Sequence, residues 1–467
     1  MTSFLVGPIT VVSLLVLVYT ALQFQSKGWR VAAALLWMTV LHEAVLVVFP
    51  ILHSVFTNFE LDSVVSAGPT DLLLVMIGEA LFVSLFCATL LFGLRSTAKV
   101  RSVYRISSLS KQMLYGLVIS MLAIGIYGIA SPVQDFQQTI HHADYAPTSI
   151  VGMLFQWMMG FVERPGIVAA SVVVTGASYS RIFRLASGTA LFLLAMGGVA
   201  EGIRGRAIWV VCMLLLMSLI RRSWKPAIVS TIILAIVVPL SVFLSGAYRS
   251  IMFSMNPGTT RVAAVIDLAQ MADGEVVERD DQSFLDNLAH RAQGPRNSVV
   301  LMRLHDNGEG GSYKPLLSAL YTPIPRILWP EKSPAGSTDS TNYGAAIFLV
   351  RRLGYGAPIY NMGPILASSH AYWEGGWFWL VGCAILSGAV WFYILAWCRR
   401  KLLDDFDTTL AITFLMALPI DGLFTMLSPL YAMIGLFWSA IFPVLLFRWA
   451  LRRILNPRRR TSVATVS

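Results

Sequence analysis

Apolar runs of about 20 residues, separated by short basic loops, recur along most of the chain. A helical run of about that length crosses the hydrocarbon core of a bilayer. The pattern predicts about eleven spans, at roughly 4–24, 30–52, 70–94, 112–131, 165–180, 185–201, 207–220, 226–246, 376–398, 408–426 and 429–448. The first run, Phe4 to Phe24, has no basic start and no clear small-residue cleavage site, so it reads as a span and not a signal peptide. Between the fourth and fifth spans, Ile150 to Val162 is apolar but too short to cross, which predicts an interfacial or re-entrant helix. The predicted class is therefore an all-α polytopic membrane protein. Its expected parts are eight spans within 1–246, a large polar segment over 247–375, three spans within 376–448 and a basic tail over 449–467. Within the polar segment, Arg261 to Met271 and Ser283 to Leu304 can form helices, and Asp273 to Gln282 is an acidic loop.

Composition agrees with the pattern. Charged residues make up 13% of the chain and hydrophobic residues 56%, whereas a soluble domain carries about 25% charged residues. The net charge of +10 does not indicate nucleic-acid binding, because the excess lies in short loops and at the tail. Alternating the spans from an outside N-terminus puts most Lys and Arg on the inner side, with Asp404, Asp405 and Asp407 as the acids there. That asymmetry follows the positive-inside rule and predicts a cytoplasmic C-terminus. Cys87, Cys212, Cys383 and Cys398 lie in or beside apolar runs, so neither a disulfide framework nor a zinc spacing is present.

Candidate chemistry falls on the predicted outer side. Arg204 and Arg206 stand in GIRGR, between two apolar runs, and Arg249 follows the eighth run. Arg326 lies in TPIPRILWPEK, where Pro323, Pro325 and Pro330 stiffen the backbone and hold Arg326 and Trp329 on one turn. A guanidinium stays charged in a partly dry site and grips phosphate oxygens with two bonds. The four arginines suit a lipid-linked phosphate, and each alone also suits snorkelling to headgroups. In SSHAYWEGGW, His370 and Glu374 stand four apart, on one face if a helix already starts there. Either is a candidate base for a sugar hydroxyl, with Tyr372, Trp373 and Trp377 as stacking rings; an interfacial aromatic belt reads equally from the same residues. Glu43 and Glu79 lie within spans, where a carboxylate needs a partner; an arginine of GIRGR is one candidate for Glu79. His141, His142, Asp135 and Asp144 read as a solvated loop in preference to a metal site.

These elements together resemble the bacterial oligosaccharide repeat-unit polymerases, the Wzy-type polymerases of O-antigen and exopolysaccharide. IPRILWPEKS is similar to the family's Pro-Arg-x-x-Trp-Pro-x-Lys-Pro element, with Ser333 in place of the last proline. GGSYKPLL, GIRGR and SHAYWEGGW add weaker matches, and His370 and Glu374 stand where the family pattern leads one to expect an acid and an asparagine. The resemblance covers about residues 200 to 380, and it implies a bundle like the lipid-dependent GT-C-type glycosyltransferases with an extracytoplasmic helical loop domain. It also implies inverting glycosyl transfer at the outer face of the inner membrane, without metal or cofactor. The substrates would be undecaprenyl-diphosphate-linked oligosaccharides, and a chain-length regulator would be a further partner. In those terms Arg204, Arg206, Arg249 and Arg326 bind the diphosphate, His370 or Glu374 is the base, and Trp329 and Tyr372 hold sugar. An O-antigen ligase shares the topology and the outer arginines, and the IPRILWP element favours the polymerase; a polysaccharide transporter or a non-catalytic scaffold is the alternative from another class.

Overall fold

The computed structural model describes residues 2–57, 69–96, 108–130, 150–176, 178–200, 204–221, 294–309, 366–400 and 405–415, with scattered single positions besides. The described residues are almost entirely helical. In chain order they form α1 (Thr2–Ser26), α2 (Arg30–Glu43), a π-helical stretch (Ala44–Val48), α3 (Phe49–Thr57), α4 (Pro69–Ser96) and α5 (Ser108–Ala130). There follow α6 (Ile150–Thr175), α7 (Arg181–Ala200), α8 (Arg204–Ile220), α9 (Gly294–Leu304), a second π-helical stretch (His305–Glu309), α10 (Ala367–Arg400) and α11 (Asp405–Leu415).

Among the described residues, three segments are long and apolar enough to cross a membrane: Leu5–Ser26, Thr70–Arg95 and Ala367–Ala396, of 22, 26 and 30 residues. Lys111–Tyr127 and Ala207–Ile220 are shorter apolar helices. The distribution of side chains on α1 says what surrounds it. Leu5, Val12, Leu15, Tyr19 and Leu22 are exposed, while Thr10, Ser13 and Thr20 are buried. A helix in water shows the opposite arrangement; an oily outer face with hydroxyls inside suits lipid, where polar groups must find partners within the protein. The hydroxyls do so: Thr10 donates to the Val6 carbonyl at 2.7 Å and Thr20 to the Val16 carbonyl at 2.8 Å.

The helices pack in two groups. The first is built around α4, which lies against α1 and α10, with α2 on α1 and α9 against both α4 and α10. The second gathers α5, α6, α7 and α8, with α11 against α5 and α6. They join where α2 meets α8 and α10 meets α11. At the second junction the buried Trp391 donates from Nε1 to the Leu415 carbonyl at 3.0 Å; four positions on in the sequence stands Pro419, which has no N–H to offer that carbonyl. Close approach between α4 and α10 depends on Gly388: a Cβ there would stand 2.9 Å from the Phe86 carbonyl oxygen. Small residues at such crossings let membrane helices come together without a hydrophobic driving force.

Two local features differ from the sequence expectation. Ile150 to Val162 is not a separate interfacial helix; it is the first half of α6, a single helix of 26 residues with Pro165 inside. At 1.5 Å per residue α6 is about 39 Å long, and proline is tolerated in such helices because only one donor is lost. The run at 30–52 is also not uniform. Phe49 N–H bonds to the Ala44 carbonyl five residues back, and Pro50 follows. Pro50 has no N–H to offer the carbonyl four residues before it, so a wider turn accommodates it.

Candidate functional site

The site is built on the first two turns of α10. Helical backbone runs from Ala367 but is broken at Gly375 and Gly376, where Gly376 adopts φ 69° and ψ −162°. That conformation is essentially open to glycine alone. The break changes where the first segment lies. Ser368 bonds to Glu79 of α4 at 2.5 Å, while Leu380 and Trp377 lie against Gly78 of the same helix. Residues 368 and 380 thus meet neighbouring positions on α4. An unbroken helix would separate them by about 18 Å along its axis, so the break lays 367–374 at the level of the first turns beyond it. The opening of the segment is fixed by α9, whose Ser298 hydroxyl accepts from the Leu366 N–H at 3.0 Å.

His370 and Glu374 share a face of this short helix, as their spacing predicts. Nδ1 of His370 is 3.8 Å from Oε1 of Glu374, and both side chains are 1% exposed. Trp379, beyond the break, donates from Nε1 to Glu374 Oε2 at 2.9 Å. Tyr372 projects from the same segment, and its hydroxyl donates to Asp306 Oδ1 at 2.6 Å. The Tyr372 ring meets His305 edge-on at 4.8 Å and Trp377 at 5.0 Å. His305 Nδ1 lies 3.1 Å from the Trp373 carbonyl oxygen. Arg303 pairs with Asp71 in the first turn of α4, which ties the end of α9 to that helix.

Burial bears on the two readings of SSHAYWEGGW. An aromatic belt places rings and carboxylates at an exposed interface. Here Tyr372 is 5%, Trp373 4%, Glu374 4% and His370 1% exposed. The cluster joins the buried His370, Glu374, Tyr372 and Trp373 to the half-buried His305 and the exposed Asp306. An imidazole beside a carboxylate in a shielded site is equipped to take a proton and to have the resulting cation stabilised.

Other predicted residues stand elsewhere. Arg204 and Arg206 occupy the first turn of α8, not a turn between helices, and their side chains lie outside the described residues. Arg249, Arg326 and Trp329 also lie outside them, so the arginine set is neither assembled nor separated here. Glu79 accepts the Ser368 hydroxyl; the arginine side chains of GIRGR expected beside it lie outside the described residues. Asp306, His305 and Trp379 were not singled out from the sequence. Asp306 is 66 positions from Tyr372, and only its place in HDNGEGG, a polar run after a helix, hinted at a role. No family model, curated protein or solved structure matches the chain.

Proposed function

We propose that this protein joins lipid-linked oligosaccharide repeat units at a membrane surface, as a multi-span glycosyltransferase of GT-C-like architecture with about eleven spans. The observation that carries the reading is the buried pairing of His370 with Glu374, beside the aromatic rings of Tyr372 and Trp377, on a segment held by a glycine-only break. Together with the Pro-Arg-x-x-Trp-Pro element, this supplies the parts the reaction needs.

In the proposed step, a hydroxyl of the acceptor repeat unit attacks the anomeric carbon of the donor glycan. A new C–O bond forms, the bond from that carbon to the diphosphate oxygen breaks, and the diphosphate lipid leaves with the electron pair. The hydroxyl proton passes to His370, and Glu374 stabilises the imidazolium. Arg204, Arg206, Arg249 and Arg326 receive the charge that grows on the departing diphosphate, which fixed cations stabilise most in a dry site. Reaching His370 requires the cluster to open towards substrate.

The test is chain growth by the purified protein on a defined undecaprenyl-diphosphate-linked repeat unit in detergent. A ladder of products that disappears with Arg326→Ala supports the proposal; intact polymer from that variant refutes the diphosphate role. A ligase is separated in cells: without a polymerase single repeat units still reach the lipid A core, and without a ligase none do. Transport is favoured by one observation, two buried carboxylates beside a broken helix within the bundle, a combination common in transporters. Chain growth in detergent, where no gradient exists, excludes transport alone.

A further inference from the structure

We propose that Glu43 and Glu79 form a proton-binding site inside the helix bundle, holding one exchangeable proton between their carboxyl groups, and that Ser368 links this site to the short helix carrying His370 and Glu374.

Both glutamates are fully buried, each at 0% exposure. Each takes a serine hydroxyl, and the Ser368 backbone N–H also acts on Glu79. Ser13 of α1 donates to Glu43 Oε1 at 2.6 Å, and Ser368 of α10 donates to Glu79 Oε2 at 2.5 Å. The second oxygens, Glu43 Oε2 and Glu79 Oε1, have no hydrogen-bond partner among the described residues. Neither glutamate forms an ion pair with a described basic side chain. A buried acceptor without a donor is costly, and a buried charge without a counter-charge is costlier still. The two side chains are also close enough for the charge of Glu79 to act on Glu43. Two carboxylates that share a dry site do not both ionise. A proton bound by the pair removes one buried charge and the repulsion with it.

The surroundings fit such a site. The π-helical stretch Ala44–Val48 begins directly after Glu43, and single π turns recur at functional sites in helices. Ser13, Glu43, Glu79 and Ser368 are drawn from four different helices that pack together. Among titratable groups on those helices, Cys87 of α4 interacts with Glu43 and with Thr20 of α1. His370 and Glu374 of α10 face each other, and Asp71 of α4 is paired with Arg303 of α9. His42 adjoins Glu43 in sequence, and His53 lies on α3, packed against Phe49.

The link to the candidate site is Ser368, two residues before His370. While Glu79 is ionised, its oxygen holds the Ser368 hydroxyl as donor; when the proton sits on Glu79, that hydroxyl is free to turn and accept. The occupancy of the pair therefore bears on the position of the 367–374 segment. A polymerase and a transporter could both carry such a site.

Infrared spectroscopy of the full-length protein in lipid nanodiscs tests this, because a protonated carboxyl has a C=O stretch that a carboxylate lacks. Ordinary glutamates ionise near pH 4.3 and contribute nothing at neutral pH. The expected result is one protonated-carboxyl band at pH 7 that shifts in D2O and on 13C-glutamate labelling of the wild-type chain. It should be weakened or shifted in Glu43→Gln and in Glu79→Gln, lost in the double variant, and shifted in frequency by Ser368→Ala. Absence of the band in labelled wild-type protein overturns the site without recourse to any variant. Retention in the double variant overturns it too, as does a band governed by sodium concentration. A band that Ser368→Ala leaves unmoved overturns the link to the short helix.

Discussion

Gly376→Ala probes the break on which the candidate site depends. Gly376 sits at φ 69° and ψ −162°, a region that costs an L-residue about 1–3 kcal/mol. The new Cβ would also stand 3.3 Å from His305 Nε2, so the imidazole that braces Tyr372 must yield slightly. The strain falls where 367–374 turns back along α4, so its relief would move His370 and Glu374. Gly382→Ala, farther along α10, is the matched control. It has no atom within 4 Å of its Cβ position, and alanine there gains up to about 1 kcal/mol of helix propensity. Thermal unfolding in one detergent, followed by loss of the monodisperse gel-filtration peak, gives the comparison. Gly376→Ala should melt several degrees below wild type and lose chain-growth activity. Gly382→Ala should melt at or above wild type and keep it. If Gly376→Ala proved as stable as wild type, the left-handed break would not be the conformation the chain adopts.

Gly388→Ala should destabilise by about 1–3 kcal/mol, because its Cβ would meet the backbone oxygen of Phe86, which cannot rotate aside; the same melting assay reads it. The Arg303–Asp71 pair is 40% and 31% exposed, so a double-mutant cycle on unfolding should return no more than about 1 kcal/mol of coupling. Glu374→Gln keeps an acceptor for Trp379 but cannot stabilise an imidazolium; turnover should fall by about 10²-fold or more while the melting temperature stays near wild type. Arg326→Lys keeps the charge and loses the two-pronged grip, so chain growth should be reduced, with Arg326→Ala lower again.

The three long apolar helices over Leu5–Ser26, Thr70–Arg95 and Ala367–Ala396 were legible in the sequence because an apolar run carries its own length. The pairing of His370 with Glu374 was legible for a similar reason: a spacing of four is a local property of a helix. The break was half legible. EGGW announces freedom at Gly375–Gly376, but the fold-back appears only once Ser368 is seen on Glu79, 289 positions away. Long-range partnerships of that kind leave no local trace. Asp306 for Tyr372 and Trp379 for Glu374 were missed for want of it, although Trp379 is only five positions on, because the break sets its direction. Pro165 misled in the opposite way. A proline after Glu163 and Arg164 looks like a boundary, yet α6 continues through it, since Gly166 leaves α5 room to press Met121 against the helix.

The inverted face of α1 has a consequence for how this chain varies over generations. In a water-soluble protein, replacements accumulate on the outside and are resisted within. Here Leu5, Leu15 and Leu22 can exchange with any aliphatic neighbour of the genetic code, because the surrounding solvent does not distinguish them. Ser13 cannot, because its single oxygen answers to one glutamate on another helix. Descendants of this sequence should vary most on the outward face of α1 and keep the inward one, Leu17 and Phe24 as well as Ser13.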